Sequence, residues 1–448
     1  MASKSNNGTK PTEHTSQGIN RIVVSGYKSI SNETSIEVRP LTILAGANSS
    51  GKSSIMQPLL LLKQTLEASF DPGPLLLNGP HIKFTLGEQL LSRNTKEFLF
   101  GIQVNDEPMV NVSYVKDKGQ GFRVKDLSVI SNGKHANFSP EMSHSELIEQ
   151  LANLPEASSL LTFLRILPAS HGGLSMQRVR SFIEFFYTEG EDSNESSAQI
   201  PFSPLPLGEI SEEIQSVIHV PGLRGNPERE YPITAVTGFS GTFSIYTASV
   251  IAHWQTGGNK DKLNQLDHQL MQLGLTSTVF AERINDAQIR LQVGRLLTNG
   301  KRKDLVNIAD VGFGVSQALP VLVALLTADP GQLVYIEQPE IHLHPRAQSK
   351  MAEVLAAAAR RGVKVVVETH SSILLLGIQT LVAKGELDPN DVILHWFTRN
   401  PKSGDSKVST ATLDEAGRFG NWPEDFADTT LEAQAEYLDA AELQQSVS

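Results

Sequence analysis

The stretch that decides the fold is Gly46-Ala47-Asn48-Ser49-Ser50-Gly51-Lys52-Ser53-Ser54, which fits the phosphate-binding loop pattern G-x-x-x-x-G-K-[ST]. That pattern needs a buried strand before it and a helix after it, because the N–H groups of the loop and of the helix N-terminus bind phosphate together. The apolar run from Pro40 to Ala45 predicts the strand. The largely apolar run from Ser54 to Lys63 predicts a buried helix despite Pro58.

All nine residues of this loop are therefore predicted to bind the phosphates of a nucleoside triphosphate. Lys52 is expected to reach the β- and γ-phosphates, and the Ser53 hydroxyl is expected to ligate Mg²⁺. The alternative is a glycine turn that joins a strand to a helix and binds nothing.

Composition limits the classes of protein. The 448 residues carry a net charge of −11, with 40% hydrophobic and 19% charged residues, which is typical of a globular protein of two or three lobes. The lack of cysteine excludes disulfides, thiolate metal sites and cysteine nucleophiles. No apolar run reaches the roughly 18 residues of a membrane helix, so a cytoplasmic protein with no membrane partner is expected. The acidic balance argues against a nonspecific nucleic-acid coat and leaves a local basic groove open.

Four segments are predicted along the chain: a disordered leader (1–18), an N-terminal lobe with the phosphate loop and an antiparallel β-meander (19–138), an acidic helical insert (139–217) and a C-terminal lobe (218–448). Between Glu141 and Glu195 the insert has nine Asp and Glu residues against three Lys and Arg residues. Its stretch from Glu189 to Ser197 is predicted to be a mobile, solvated loop. This acidic loop is either a docking surface for a basic partner or a loop without function.

Two further apolar stretches complete the predicted nucleotide site. The run from Gln332 ends at Glu337, a position from which an acid can hold Mg²⁺ beside Ser53. Gln338-Pro339-Glu340 follows at once, and the β-rich run from Val363 ends at Glu368-Thr369-His370.

Taken in order, the phosphate loop, the strand-Glu-x-Pro-Glu-x-His-x-His-Pro segment and the strand-x-Thr-His-Ser segment resemble the ABC-type ATPase heads of the RecF/SMC and OLD-like group. The opening from Ile22 to Ile30 resembles that group's first strand, and Asp310 to Gln317 resembles its signature loop. The resemblance covers residues 19–100 and 300–420. It implies an α/β fold, a P-loop NTPase head of ABC type carrying the β-meander and the helical insert. It also implies a homodimer or higher oligomer that encloses ATP and Mg²⁺ between heads.

The resemblance assigns roles residue by residue. Glu337 matches the Mg²⁺-associated acid, His370 the switch histidine that senses the γ-phosphate, and Gln89 the glutamine that couples Mg²⁺ to the rest of the lobe. Gly312, Gly314 and Ser316 match the signature segment that binds the nucleotide of the partner head.

Two positions depart from the family pattern. Gln338 stands where most of the group has a glutamate that polarises the attacking water, and an amide cannot accept that proton. Either Glu340 supplies the base, or hydrolysis is slow and ATP acts chiefly as a dimer clamp; slow hydrolysis is preferred. Gly312 replaces the signature serine, so backbone amides there, with Ser316, are expected to bind a γ-phosphate at a helix N-terminus.

Some nearby side chains have two interpretations. His342 and His344 flank one residue, and they are interpreted as part of a dimer-interface loop rather than as metal ligands. Arg224 and Arg229 lie in a Pro/Gly-rich stretch, where structural salt bridges are favoured over a nucleotide contact.

The sequence shows no Asp-x-Asp pattern of a Toprim nuclease after an apolar strand. Single-head members of the OLD-like group resemble the ATPase components of bacterial anti-phage systems such as Septu, which work with a separately encoded effector, an HNH-type nuclease. The alternative is a RecF-like ATPase of DNA repair or a DNA clamp, and DNA binding, directly or through the partner, stays open. A transporter ATPase is disfavoured by the wide gap between Lys52 and Glu337.

Overall fold

The computed structural model describes residues 17–420 except 106, 118, 120, 159–160, 163–171, 190–198, 237 and 296–303. The predicted disordered leader lies outside the described residues except for Gln17 and Gly18, and the predicted mobile loop lies outside them except for Glu189. Across the described residues, no helix is long and apolar enough to cross a membrane.

The strands of the described chain are β1 (Ile19–Ser25), β2 (Thr34–Glu37), β3 (Leu41–Gly46), β4 (Glu97–Val104), β5 (Met109–Asp117), β6 (Gly121–Ser131), β7 (Lys134–Phe138), β8 (Gly172–Val179), β9 (Phe182–Glu189), β10 (Gln199–Phe202), β11 (Ile218–Val220), β12 (Tyr231–Pro232), β13 (Val279–Arg283), β14 (Gln288–Gly294), β15 (Leu305–Asn307), β16 (Leu333–Glu337), β17 (Lys364–Thr369), β18 (Val392–Arg399) and β19 (Ser406–Thr412). The α-helices are α1 (Lys52–Glu67), α2 (His144–Ala152), α3 (Leu207–Ser216), α4 (Thr247–Thr256), α5 (Lys260–Gln272), α6 (Phe313–Thr327), α7 (Pro345–Arg360) and α8 (Ser372–Ala383).

The central sheet has the strand order β11-β16-β17-β3-β18-β19. Its first five strands are parallel, and β19 pairs antiparallel with β18. The strand before the phosphate loop, β3, therefore lies between two strands from the C-terminal third of the chain. Leu41, Ile43 and Ala45 of β3 face one apolar core and Leu44 faces the other. Both faces are covered, as the continuous apolar runs of a parallel sheet require.

A second, antiparallel sheet has the order β2-β1-β4-β5-β6-β7. The predicted antiparallel meander is confirmed and consists of β4, β5, β6 and β7. Along β4, Phe98, Phe100, Ile102 and Val104 are buried, whereas Leu99 and Gln103 are only partly buried. This alternation is the pattern of a sheet with one face on a core. The α/β fold with an antiparallel meander is therefore confirmed.

The insert, residues 139–217, differs from the purely helical expectation. It contains α2 and α3 and also a three-stranded antiparallel sheet, β10-β9-β8. Leu174 and Met176 on β8 and Phe185 on β9 are buried, and the Phe185 ring meets the Phe138 ring edge-on with centroids 5.2 Å apart. The meander supplies an apolar surface on which β8 and β9 pack, and this packing stabilises them as strands. Tertiary contact therefore decides the conformation here, and local composition does not.

The insert also packs against the helix that follows the phosphate loop, since α3 contacts α1. In the turn between β8 and β9, Arg180 Nη1 donates to Thr65 O at 3.0 Å and Leu66 O at 2.7 Å. These carbonyls belong to the last turn of α1, which has no helical N–H partners for them. The insert thus holds the C-terminal end of α1.

The remaining elements cover the other face of the central sheet. Strands β12, β14 and β13 form a small antiparallel sheet, with β15 paired to β14. Helices α4 to α8 contribute to the larger apolar core, and β13 and β14 pack on α4.

Candidate nucleotide-binding site

The phosphate loop leaves β3 through two glycines that no other residue can replace without displacement. Gly46 has φ 144° and Gly51 has φ 102°. A Cβ at Gly46 would lie 2.2 Å from Phe397 O, and one at Gly51 would lie 2.1 Å from Ser406 Oγ. The loop is therefore pressed against β18 and β19, and glycine is required for both the turn and the close approach.

The end of β18 and the start of β19 support the loop from outside. Ser406 Oγ donates to Ser50 O at 2.6 Å and lies 2.7 Å from Ser29 Oγ. Arg399 Nη1 donates to Ser49 O at 3.3 Å. These bonds hold the carbonyls of Ser49 and Ser50 against the hairpin.

A cavity of about 1140 Å³ opens beside the loop and the first turn of α1. The sequence-predicted residues that line it are Asn48, Ser49, Gly51, Lys52, Ser53, Ser54, Gln89, Gln338 and His370. Among the described lining residues, Lys28, Lys52, Arg93, Arg399 and Lys402 are cations, against the two acids Glu368 and Asp405. The balance is positive, which suits a polyphosphate. Gly46, Ala47 and Ser50 line an adjoining cavity of about 630 Å³ that shares Asn48 and His370.

Lys52 is folded onto its own loop. Its Nζ donates to Gly46 O at 3.0 Å and to Ala47 O at 2.8 Å, and the residue is buried. Burial lowers the pKa of Lys52, and the nearby carboxylates of Glu368 and Glu340 oppose that shift. An ammonium held by two neutral carbonyls remains available for the charged oxygens of a phosphate.

Ser53 meets a carboxylate that sequence analysis did not select. Its Oγ lies 2.8 Å from Glu368 Oε2 and 3.0 Å from Glu368 Oε1, and Tyr335 Oη donates to Glu368 Oε2 at 3.0 Å. Burial raises the pKa of Glu368, the charge of Glu337 adds to the rise, and the bonds from Ser53 and Tyr335 oppose it. The signal in the sequence was a lone acid at the end of an otherwise apolar strand.

Glu337, the predicted Mg²⁺-associated acid, points to a different part of the fold. Its Oε1 lies 3.2 Å from His219 Nε2, and its Oε2 accepts from Gly222 N at 3.0 Å. Burial would raise the pKa of Glu337, but the bonds from His219 and Gly222 N and the charge of Arg224 outweigh it and lower the pKa. Glu337 is not among the described residues that line the 1140 Å³ cavity.

A buried row of polar groups extends from Glu337 to α1. His219 Nδ1 lies 2.9 Å from His81 Nδ1, and His81 Nε2 lies 3.5 Å from Glu67 Oε2. Glu67 in turn pairs with Lys63 at 2.5 Å. Since two ring nitrogens meet at 2.9 Å, one ring donates and the other accepts. His81 and His219 were not predicted, because only the fold brings them together.

Gln338 lines the cavity at the end of β16 in a left-handed conformation, with φ 46°. Arg224 holds this turn, since its Nη2 donates to Glu337 O at 2.7 Å and to Gln338 O at 3.2 Å. Burial lowers the pKa of Arg224 to about 10, against the charges of Glu340 and Glu337. Arg224 therefore positions the acidic strand. Arg229 pairs with Asp310 at 2.7 Å.

Glu340 holds the histidine segment. Its Oε1 accepts from Thr369 Oγ1 at 2.7 Å and from His370 N at 3.0 Å, and the residue is buried. His370 lines the cavity and bonds to the backbone of Gly46; burial, with the charge of Lys52, lowers the pKa of His370. The structure thus places His370 beside the phosphate loop, and gives Glu340 a structural contact there.

Gln89 lies on the rim of the cavity in a short 3₁₀ turn. Its Oε1 accepts from Thr85 N at 3.0 Å and from Leu86 N at 3.2 Å. The side-chain oxygen therefore caps its own turn in this conformation.

The signature segment lies elsewhere on the chain's surface. Gly312 precedes α6 with no side-chain cap, and Ser316 Oγ donates to Phe313 O at 3.0 Å. Gly312, Gly314 and Ser316 are not among the described residues that line the phosphate-loop cavity. Phe313 is 48% exposed, and its ring centroid lies 5.7 Å from that of His342. His344 caps α7, accepting from Arg346 N at 3.3 Å.

The residues present fit ATP and Mg²⁺. The N-terminus of α1 has no side-chain cap, which suits phosphate binding at this helix end, and Ser50 Oγ is buried without a hydrogen-bond partner among the described residues. The oxygens of Ser53 and Glu368 are hard ligands suited to Mg²⁺. The described part of the chain has no group of three or more His, Cys, Asp or Glu residues that could hold a metal. Phosphate oxygens and water would complete the coordination, as is usual for Mg²⁺.

Comparison with family models gives three matches. Residues 18–139 match a model described as "AAA ATPase domain", and residues 177–376 match "AAA domain, putative AbiEii toxin, Type IV TA system". Residues 387–432 match "Protein of unknown function (DUF3696)". The two ATPase-domain matches cover the phosphate loop, the acidic strand and His370. With the site geometry, they define the class: the chain is an ATP-binding P-loop ATPase.

A comparison with curated proteins found no match. Among solved structures, an Smc head bound to the C-terminal winged-helix domain of ScpA overlaps with a TM-score of 0.45 at 13% identity, covering 89% of this chain and 99% of that one. The SMC head domain from Thermotoga maritima overlaps with a TM-score of 0.38 at 12% sequence identity, covering 88% of this chain and 98% of that one. A third structure is a Smc head domain with an extended coiled coil bound to the C-terminal domain of ScpA, derived from Pyrococcus furiosus. It overlaps with a TM-score of 0.44 at 12% sequence identity, covering 95% of this chain and 99% of that one.

Proposed function

We propose that this chain is a slowly hydrolysing ABC-type ATPase that dimerises around ATP and Mg²⁺ and regulates a separate effector, a nuclease, in cytoplasmic anti-phage defence. The observation that carries the ATPase part is the cavity in which the phosphate loop, Ser53, Gln338 and His370 meet. At the position where the family has its general base, this chain has the amide of Gln338, and Gln338 lines the cavity. ATP therefore serves mainly as a clamp between two heads.

The dimer is supported by the position of the signature segment. Gly312 and the first turn of α6 are separate from the phosphate-loop cavity of the same chain, and Phe313 beside them is exposed. An uncapped helix N-terminus favours an anion such as a γ-phosphate. A second copy of the chain would supply that phosphate.

The effector part has separate support. The model that matches residues 177–376 is described as a putative toxin of a Type IV TA system, a kind of system that has a second protein. The insert packs on α1 through α3, so a partner bound to the insert would be linked through it to the helix that starts at the phosphate loop. The acidic loop from Glu189 to Asp192 is proposed as the docking point for a basic, DNA-binding nuclease.

Replacing Lys52 tests the nucleotide site. Lys52→Ala should lose most ATP affinity, because Lys52 is the only side-chain cation within the phosphate loop. Calorimetry with ATP is the measurement, and Lys134→Ala, an exposed lysine on β7, is the matched control. Equal ATP affinity in wild type and Lys52→Ala would refute the site.

Copurification with the products of adjacent genes tests the effector. A nuclease that copurifies and depends on ATP for its activity would support the proposal. Reversal of Glu189, Glu191 and Asp192 to Lys should weaken that association more at low salt than at high salt. DNA binding by the ATPase alone, with replication genes adjacent, would favour a RecF-like repair role instead.

A further inference from the structure

We propose that Glu368 at the end of β17, and not Glu337, is the carboxylate that holds Mg²⁺ beside Ser53. This inference rests on the proposed ATPase function and assigns its metal site. It concerns a residue that lies one strand away from the acid that the sequence pattern selects.

The first observation is direct contact. Both oxygens of Glu368 lie within 3.0 Å of Ser53 Oγ, and Glu368 lines the cavity of the phosphate loop. The residue is only 6% exposed, so its carboxylate is largely removed from water. A divalent cation next to Ser53 would replace that lost hydration.

The second observation is that Glu337 is already bound. Each of its oxygens has a partner, His219 Nε2 or Gly222 N, and both partners lie on the side away from Ser53. His219 is 2% exposed and would lose its carboxylate partner if Glu337 turned toward the loop. The Glu337 carboxylate is therefore held by His219 and Gly222 and is not directed into the cavity.

The sheet register supports the same assignment. Glu368 pairs with Leu44 of β3, the strand that enters the phosphate loop, whereas Glu337 pairs with Glu368. With strands about 4.8 Å apart, Glu368 lies one spacing and Glu337 two spacings from β3. Tyr335, whose hydroxyl bonds to Glu368 Oε2, is an outer partner of the kind that orients a metal ligand.

The test compares two isosteric variants on neighbouring strands, Glu368→Gln and Glu337→Gln. ATP affinity is measured by calorimetry in EDTA and in excess Mg²⁺, and binding of Mn²⁺ with ATP is followed by the loss of the free Mn²⁺ signal in electron paramagnetic resonance. Both variants keep side-chain volume and can still bond to their neighbours. Circular dichroism and the unfolding midpoint verify that each variant folds.

Glu368→Gln should bind ATP in EDTA as the wild type does. The increase in ATP affinity on adding Mg²⁺ or Mn²⁺ should be at least about 10-fold smaller than in the wild type. In Glu337→Gln this metal-dependent increase should be reduced less. In Tyr335→Phe the increase should lie between those of the wild type and Glu368→Gln. A loss in Glu337→Gln equal to or larger than that in Glu368→Gln would overturn the assignment. So would a wild type that binds ATP equally with and without metal. A wild type that binds no ATP under either condition would instead overturn the proposed function.

Discussion

At the scale of single residues, Gln338 sets the expected rate of hydrolysis. Its side chain faces the cavity, whereas Glu340 is buried and bound to Thr369 and His370. Gln338→Glu should raise ATP turnover about 10²-fold, the effect of a positioned general base. Phosphate release under ATP saturation is the measurement.

Glu340→Gln is the companion variant for that experiment. If Gln338→Glu leaves turnover unchanged while Glu340→Gln abolishes it, then Glu340 is the base and slow hydrolysis through Gln338 is wrong. The contacts of Glu340 predict a smaller change, since an amide oxygen can still accept from Thr369.

Lys364 makes the stability of the fold depend on pH. Its Nζ lies 3.2 Å from Asn20 Oδ1 and 3.3 Å from Val38 O, and burial lowers the pKa of Lys364 from 10.5 to about 8. Between these values the unfolded chain binds the proton and the folded chain does not, so stability rises with pH. Relative to Lys364→Met, the free energy of unfolding of the wild type should rise by up to about 3 kcal/mol between pH 8 and pH 10.5.

Chemical denaturation of both proteins across that range measures the gain. Lys407→Met, at an exposed position of β19, is the control and should show no such pH dependence relative to wild type. A constant difference between wild type and Lys364→Met would mean that Lys364 titrates at the same pH in both states.

At the residue level, the structure brings together several residues that local motifs selected, while their roles stay predictions. The phosphate loop, Gln338 and His370 lie in one site, as their motifs indicated. Glu368 and His219 were missed because their roles come from neighbours more than a hundred residues away, Ser53 and Glu337. No spacing rule connects such pairs before the strand order of the sheet is known.

At the scale of elements, the β18–β19 hairpin decides the shape of the phosphate loop. Ser406→Ala removes the bond from its Oγ to Ser50 O, which is worth about 1 kcal/mol for a typical hydrogen bond. ATP affinity should fall about 5-fold, because a looser loop must be ordered on binding. Ser409→Ala, exposed on the same strand, should leave affinity unchanged. Calorimetry on both variants is the measurement, and equal affinities would show that the loop is rigid without this support.

The insert shows why an element can escape prediction. The polar residues Gln177, Arg178 and Glu184 interrupt the apolar alternation of β8 and β9, and the acidic composition around them resembles a solvated helix. The strands form because the hairpin packs on the meander, where Tyr114 Oη donates to Ser181 O at 2.8 Å. That surface exists only in the folded protein.

At the scale of the whole molecule, one sheet joins distant parts of the chain into a single site. The strand before the phosphate loop lies between β17 and β18, so the loop, the acidic strand and the histidine strand end at the same edge. Ligands bind at the carboxyl edge of such sheets. The signature segment lies outside this edge, and the proposed dimer would bring it to the nucleotide of a second head.

Phe313 provides the test of that requirement. It follows Gly312 at the N-terminus of α6, is 48% exposed and contacts His342, so it would lie between two heads that share ATP. Phe313→Glu adds a negative charge where a γ-phosphate is expected, and like charges at close range repel. Light scattering after size exclusion should show an ATP-dependent dimer for wild type and only monomer for Phe313→Glu. Calorimetry should still detect ATP binding to the Phe313→Glu monomer, with an affinity lowered only by the lost coupling to dimerisation. Phe70→Glu, at a phenylalanine 62% exposed beyond the end of α1, is the matched control and should still dimerise. A dimer of Phe313→Glu as stable as that of the wild type would place the interface on another surface of the head.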